Sequence, residues 1–219
     1  MSRKIINQAV KRSLSAARIA RYEQATGNKG DENGEALSLY GWNAKISAAM
    51  MEPLHICEVV VRNAVSEAIE AKYGQNWPWS QAFLQSLPKP TAGYAPFSDI
   101  SSAKKKNSTT GKVIPELKFV FWQKMFTKRY DDRIWKQYLL SVMPNLDQTI
   151  SFDIHRKRIY DDLEQVRFLR NRIAHHEPVY NIDISKELGR VENLIKYRCE
   201  KTSNWMKRNQ DVSIILKRK

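Results

Sequence analysis

The chain is poor in the residues and runs that mark several common protein classes. Its 219 residues include only two cysteines, Cys57 and Cys199, which lie too far apart in sequence to match a metal-ligand spacing. No run approaches the roughly 18 to 20 apolar residues of a membrane-spanning helix. Glycine-rich phosphate loops, Cys-x-x-Cys pairs and Gly-x-Ser-x-Gly turns are also missing. We therefore expect no metal, no cofactor and no membrane insertion, and a location in the reducing cytoplasm.

Acidic residues are scarce as well. The chain has 23 Asp and Glu against 37 Lys and Arg, which leaves a formal net charge of +14. Such a positive field repels itself unless a polyanion relieves it, so nucleic acid is the first partner to consider. The candidate RNA-binding residues are all basic and lie in three parts of the chain: Lys11, Arg12, Lys104, Lys105, Lys106 and Arg172.

Apolar residues recur at helical spacing along most of the chain, and a hydrophobic fraction of 42% is sufficient for one core. The pattern predicts an all-α fold in a single domain over 1–219. We expect a basic helix over 1–26, a long, flexible basic loop over 88–114, and a basic tail over 200–219. One short run in that tail favours strand over helix.

The stretch "LRNRIAHHEPVYN", residues 169–181, differs from an ordinary surface helix. The apolar stripe of the helix expected from Ser151 to about His176 includes Arg170. A guanidinium cannot lose its charge, so a buried arginine needs a carboxylate, a dense set of hydrogen-bond acceptors, or a phosphate supplied from outside. Glu58 is the candidate carboxylate within the chain, and these alternatives remain open.

Two adjacent histidines follow this arginine. Arg170 and His175 are five residues apart, so they point about 140 degrees away from each other on a straight helix. They can meet if the helix unwinds before Pro178, or if a second protomer brings its histidine to this arginine. His175 and His176 suit either a helix C-cap or a group that titrates near neutral pH.

The segment "RNRIAH", Arg170 to His175, resembles the R-x(4–6)-H motif of the HEPN superfamily of small all-α ribonucleases and RNA-binding domains. Three longer stretches are similar, in the same order, to the Abi-like (AbiD/AbiF type) abortive-infection family. They are "YGWNAKISAAMMEPLHICEVVVRNAV" (40–65), "GKVIPELKFVFWQKMF" (111–126) and "LRNRIAHHEP" (169–178). The resemblance covers most of the chain from about residue 38. Pro115 departs from the family pattern, which has a small residue before the Glu-Leu pair.

The resemblance implies a HEPN-like helical bundle, commonly a homodimer, that acts as a metal-independent endoribonuclease toxin in phage defence. In that family pattern Arg170 would bind the scissile phosphate of RNA, Asn171 would orient the site, and His175 would act as acid or base. The resemblance also singles out Glu58, Arg62 and Asn63 as supporting residues. Glu58 and Arg62 are four residues apart, so they can instead form a structural pair on one helix face. His176 can either assist the site or cap the helix. An RNA or protein antitoxin is a further partner of such toxins.

Two other functions fit the sequence. The chain can be a non-catalytic HEPN module that binds RNA or a protein partner within a defence or toxin–antitoxin system. Alternatively, its basic N-terminal helix can associate with an anionic membrane surface. Cleavage of RNA by the chain distinguishes the endoribonuclease from both the non-catalytic binding module and the membrane-associated protein.

Overall fold

The computed structural model describes residues 3–28 and 34–217, and within these residues every regular element is helical. This confirms the all-α prediction. Residues 1, 2, 218 and 219, which belong to the expected N-terminal helix and C-terminal tail, lie outside the described residues, as do residues 29–33. In chain order the α-helices are α1 (Arg3–Leu14), α2 (Ala16–Thr26), α3 (Glu35–Tyr73), α4 (Gln81–Ser86), α5 (Pro96–Lys106), α6 (Thr110–Val113), α7 (Phe119–Met125), α8 (Lys136–Val142), α9 (Phe152–Ala174), α10 (Ile184–Arg198), α11 (Glu200–Asn209) and α12 (Val212–Leu216).

The 39-residue helix α3 is the centre of the fold. It packs against α2, α7, α8, α9, α10 and α12. Its buried side chains Met50, Leu54, Cys57 and Val61 recur every three or four residues, so one face of the helix stays in the main hydrophobic core. Pro53 lacks the N–H that would bond one turn back, yet the helix continues because both halves are buried. The segment is therefore one continuous helix from Glu35 to Tyr73.

The N-terminal segment forms two helices, which corrects the single helix expected over 1–26. The chain breaks at Ser15, which has a positive φ of 73°, and its hydroxyl accepts a hydrogen bond from the Arg18 N–H at the start of α2. A small cluster of Ile19, Tyr22 and Ala36 then packs α2 against α3. This packing carries the basic side chains of α2 towards the end of α9.

The loop expected over 88–114 is also wrong, because α5 and α6 occupy much of it. Pro96 takes a first-turn position in α5, Asp99 lies in the first turn, and lysines fill the last turn. These placements favour a helix through the fixed proline φ and the helix dipole. This stretch is rich in serine and lysine, a composition that favours a loop, so the residues that begin the helix were missed.

The strand preference predicted in the C-terminal tail is wrong for a different reason. The β-prone residues Val212–Leu216 form the helix α12, and Val212 is buried where α12 packs on α3. Tertiary packing therefore overrides a weak β propensity. In the part of the chain that the structure describes, no helix combines the length and apolar character needed to cross a membrane.

Candidate functional site

The helix α9 remains regular until it reaches the two histidines. The His175 N–H donates to the Asn171 carbonyl at 2.9 Å, as in an uninterrupted helix. A closing turn then forms, in which the His176 N–H donates to the Ile173 carbonyl and the Glu177 N–H to the Arg172 carbonyl. This pattern is a Schellman motif, in which the residue after the cap takes a left-handed conformation. His176 occupies that position with a φ of 55°.

Three side chains hold this turn in place. Arg172 donates to the Pro178 carbonyl and pairs with Glu177 at 3.4 Å. Arg18 of α2 donates to the His176 carbonyl at 2.8 Å. From α3, the Asn43 side-chain oxygen accepts from the buried Val179 N–H at 2.7 Å. The turn therefore does not unwind, and the unwound-helix route by which Arg170 and His175 could meet is wrong.

A small cavity lies between α3 and α9 and has a volume of about 190 Å³. We call it the arginine cavity. The polar side chains that line it are His55, Glu58, Arg62 and Arg170. Glu58, Arg62 and Arg170 were predicted as site residues from the sequence, and the packing of α3 on α9 brings them together.

The charges in the arginine cavity are unequal. Arg170 and Arg62 are half-buried and share the cavity with one carboxylate, Glu58. Within residues 3–28 and 34–217, neither arginine forms an ion pair with this carboxylate within 4.0 Å, which corrects the pairing considered from the sequence. The Arg62 Nε atom is buried and has no hydrogen-bond partner among the same residues. A partly buried guanidinium without an acceptor favours an anion from outside.

A second cavity, the histidine cavity, lies at the end of α9 and measures about 300 Å³. His175 and His176 line it together with Arg18 and Arg21, which extend from α2. Its one carboxylate, Glu177, already pairs with Arg172. This cavity therefore also favours an anion, and it places two guanidinium groups beside the imidazoles.

A groove of about 370 Å³ runs along α3 and α9 and shares lining residues with both cavities. Met51 belongs to both the groove and the arginine cavity, while Tyr22 and His176 belong to both the groove and the histidine cavity. Small and apolar side chains make up much of its lining: Ala44, Ala48, Met51, Ile173 and Ala174. Burial raises the pKa of Tyr22 to about 12, so its phenol stays neutral at physiological pH. One protomer thus separates Arg170 from His175 by an apolar surface.

The other residues selected from the sequence lie elsewhere. Asn171 and Asn63 line none of these three cavities, and Arg172 is engaged in the turn after α9. Lys11 pairs with Glu23 at 2.7 Å, and Arg12 is exposed on α1. The three lysines Lys104, Lys105 and Lys106 form the last turn of α5, which packs against α6 and α7.

Three site residues escaped the sequence analysis, namely His55, Arg18 and Arg21. The first follows from the spacing of Met51, His55, Glu58 and Arg62, which steps by four, three and four residues and marks one face of a helix. That signal was present in the sequence. The two arginines had no comparable signal, because their approach to His176 depends on a contact between residues 158 positions apart.

Comparison of the chain with protein-family models, curated proteins and solved structures finds no match. Over the described ranges, no group of three or more His, Cys, Asp and Glu side chains is arranged to hold a metal ion.

The left-handed turn at His176 gives a direct test of its structural role. A residue with a side chain pays roughly 1–2 kcal/mol for this conformation, whereas glycine does not, although glycine loses more entropy on folding. We expect His176→Gly to leave the free energy of unfolding unchanged or raise it by up to about 1 kcal/mol in urea denaturation. The control is His175→Gly at a φ of −92°, which should lower it. A clear loss of stability in His176→Gly would show that the imidazole itself stabilises the turn.

Proposed function

We propose that the chain is a metal-independent endoribonuclease whose active site forms between two protomers. The observation that carries this proposal is the arginine cavity, in which Arg62 and Arg170 lie together without an ion-pair partner in the described residues. The formal charge of +14 and the resemblance of "RNRIAH" to the HEPN motif support RNA as the substrate. The abortive-infection role rests on the resemblance of the three longer stretches.

The partner in this proposal is a second copy of the chain, docked along the groove. Its small apolar residues Ala44, Ala48 and Ala174 allow close approach of another helix, and its ends are cationic. In a two-fold symmetric dimer, every contact is made twice. A copy that brings its histidine cavity to the arginine cavity of the first protomer therefore receives the same contact in return. Two equivalent sites result, each with Arg170 from one chain and His175 from the other.

The chemistry needs few protein groups, because RNA carries its own nucleophile in the 2′-hydroxyl. Arg170 and Arg62 would hold the scissile phosphate and stabilise the charge that develops on its oxygens. The partner's His175 would transfer a proton to or from the reacting oxygens. The partner's Arg18 and Arg21 would bind the neighbouring phosphate, since they flank the same histidine.

One observation also favours a second function. Because Arg170 and His175 line different cavities in one protomer, a chain that stays monomeric has phosphate-binding groups but no assembled acid–base pair. Such a chain would be a non-catalytic module that binds RNA, or a protein partner along the groove. Its RNA affinity would fall steeply with salt in the absence of any cleavage.

RNA cleavage in the presence of EDTA tests the proposed activity. We expect the wild type to cut single-stranded RNA, and Arg170→Ala and His175→Ala each to reduce the rate by about 10²-fold or more. Neither variant should melt below the wild type, because neither side chain has an ion-pair or hydrogen-bond partner in the described residues that folding would lose. Rates follow from gel electrophoresis of an end-labelled RNA.

Cleavage that both variants retain at the wild-type rate would contradict the assignment of this site. RNA binding without cleavage by the wild type, with a steep salt dependence, would instead establish the binding module. A large drop in the melting temperature of Arg170→Ala would show that this arginine stabilises the fold.

The two arginines of α2 give a separate prediction about RNA affinity. Arg21→Ala removes a cation from the histidine cavity, so we expect weaker RNA binding and a salt slope that is shallower by about 0.7 per lost phosphate contact. Arg208→Ala removes the same charge from an exposed position on α11, outside the three cavities, and should change the slope less. Fluorescence anisotropy measures the RNA affinity of both variants and its salt slope. The useful range is roughly 50 to 200 mM salt, where such contacts weaken. Equal slopes for the two variants would contradict a phosphate contact at Arg21.

A further inference from the structure

The chain has four histidines, and their surroundings differ sharply. His155 is buried, and its Nε2 atom lies 2.8 Å from the Asp147 carbonyl, so it has a structural role in the core. His175 and His176 line the histidine cavity. His55 lines the arginine cavity beside Arg62 and Arg170, and no role has been given to it so far.

The position of His55 follows from the geometry of α3. Glu58 lies three residues after it and Arg62 seven residues after it, so all three side chains extend from one face of the helix. Arg170 faces them from α9. The charged groups around the imidazole are thus Glu58 and Arg62 from its own helix and Arg170 from the packed helix, with the exposed Glu52 one turn earlier. His55 is itself exposed, so a bound RNA can reach its imidazole.

Cleavage of RNA by its own 2′-hydroxyl requires two proton transfers. A base takes the proton from the 2′-hydroxyl as the 2′-oxygen bonds to phosphorus, and an acid gives a proton to the 5′-oxygen as the phosphorus–5′-oxygen bond breaks. The products are a 2′,3′-cyclic phosphate and a free 5′-hydroxyl, so no water or external reactant is consumed. His175 is assigned to one of these transfers, so the other needs a further group beside the phosphate. His55 is the imidazole that lines the cavity in which Arg62 and Arg170 would hold that phosphate.

We propose that His55 is a catalytic residue that performs the second proton transfer, next to the phosphate held by Arg62 and Arg170. This role rests on the ribonuclease activity proposed above. Each complete site then contains one imidazole from the arginine cavity and one from the partner's histidine cavity. In this proposal the two imidazoles come from different protomers, which allows one to act at the 2′-oxygen and the other at the 5′-oxygen.

A substrate with a better leaving group distinguishes catalysis from a structural role. The probe is a short RNA in which sulfur replaces the bridging 5′-oxygen at a single cleavage site. A thiolate leaves without needing a proton, so removing the general acid should no longer slow the reaction. The variants are His55→Ala and His175→Ala, and Lys45→Ala is the control, since Lys45 is exposed on α3 and lines none of the three cavities.

We expect both histidine variants to cleave the normal RNA about 10²–10⁴-fold more slowly than wild type, with the control unchanged. On the sulfur substrate, one of the two variants should recover to near the wild-type rate while the other stays slow. The pH profile of kcat/KM should be bell-shaped in the wild type and should lose one limb in His55→Ala.

Several other results would contradict the proposed role of His55. If His55→Ala cleaves normally, or keeps both limbs of the pH profile, His55 is not a catalytic residue even though the ribonuclease activity stands. Recovery of both variants or of neither on the sulfur substrate would also overturn the division of proton transfers. Absence of cleavage by the wild type on both substrates would overturn this role together with the proposed activity.

Discussion

The intact end of α9 is the constraint on which the functional site depends. A regular helix turns five residues through 500 degrees, so Arg170 and His175 face away from each other by about 140 degrees. The Schellman turn at His176, held by Arg18, Arg172 and Asn43, prevents the chain from relaxing this separation. Two residues that look like neighbours in the sequence therefore belong to two different cavities.

Because Arg170 and His175 are separated, the two cavities are lined by different sets of side chains. On one side, α3 contributes His55, Glu58 and Arg62 to Arg170, and on the other side α2 contributes Arg18 and Arg21 to His175. Both cavities carry more guanidinium groups than available carboxylates. Clusters of like charge cost folding free energy, which an anionic ligand recovers on binding. In the proposed dimer the mostly apolar groove between them is the docking surface, and bound RNA would offset the repulsion between the cationic cavities that face each other.

Helical periodicity was sufficient to predict the all-α fold and to place Arg170 in the apolar stripe of its helix, with Glu58 as its candidate partner. Arg62 was selected only through the family resemblance, and the packing of α3 on α9 that brings the three residues together came from the structure. Periodicity did not predict the helices α5 and α6, because the many serines and lysines in that segment favour a loop. Pro96 and Asp99 lie in the first turn of α5 and favour a helix start there. Periodicity also did not predict the break at Ser15, since a positive φ at serine has no composition signal. Arg18 and Arg21 reach the site through the packing of Tyr22 on α3, which only the three-dimensional structure reveals.

The central claim is that one protomer's Arg170 works with the partner's His175, and mixing two inactive variants tests it directly. Neither Arg170→Ala nor His175→Ala has a complete site on its own. If the protomers exchange freely in an equimolar mixture, half of the dimers combine the two variants, and each such dimer contains one site with both native residues. Cleavage should then return to about a quarter of the wild-type rate. A mixture that stays as inactive as its separate components would contradict a site shared between two chains.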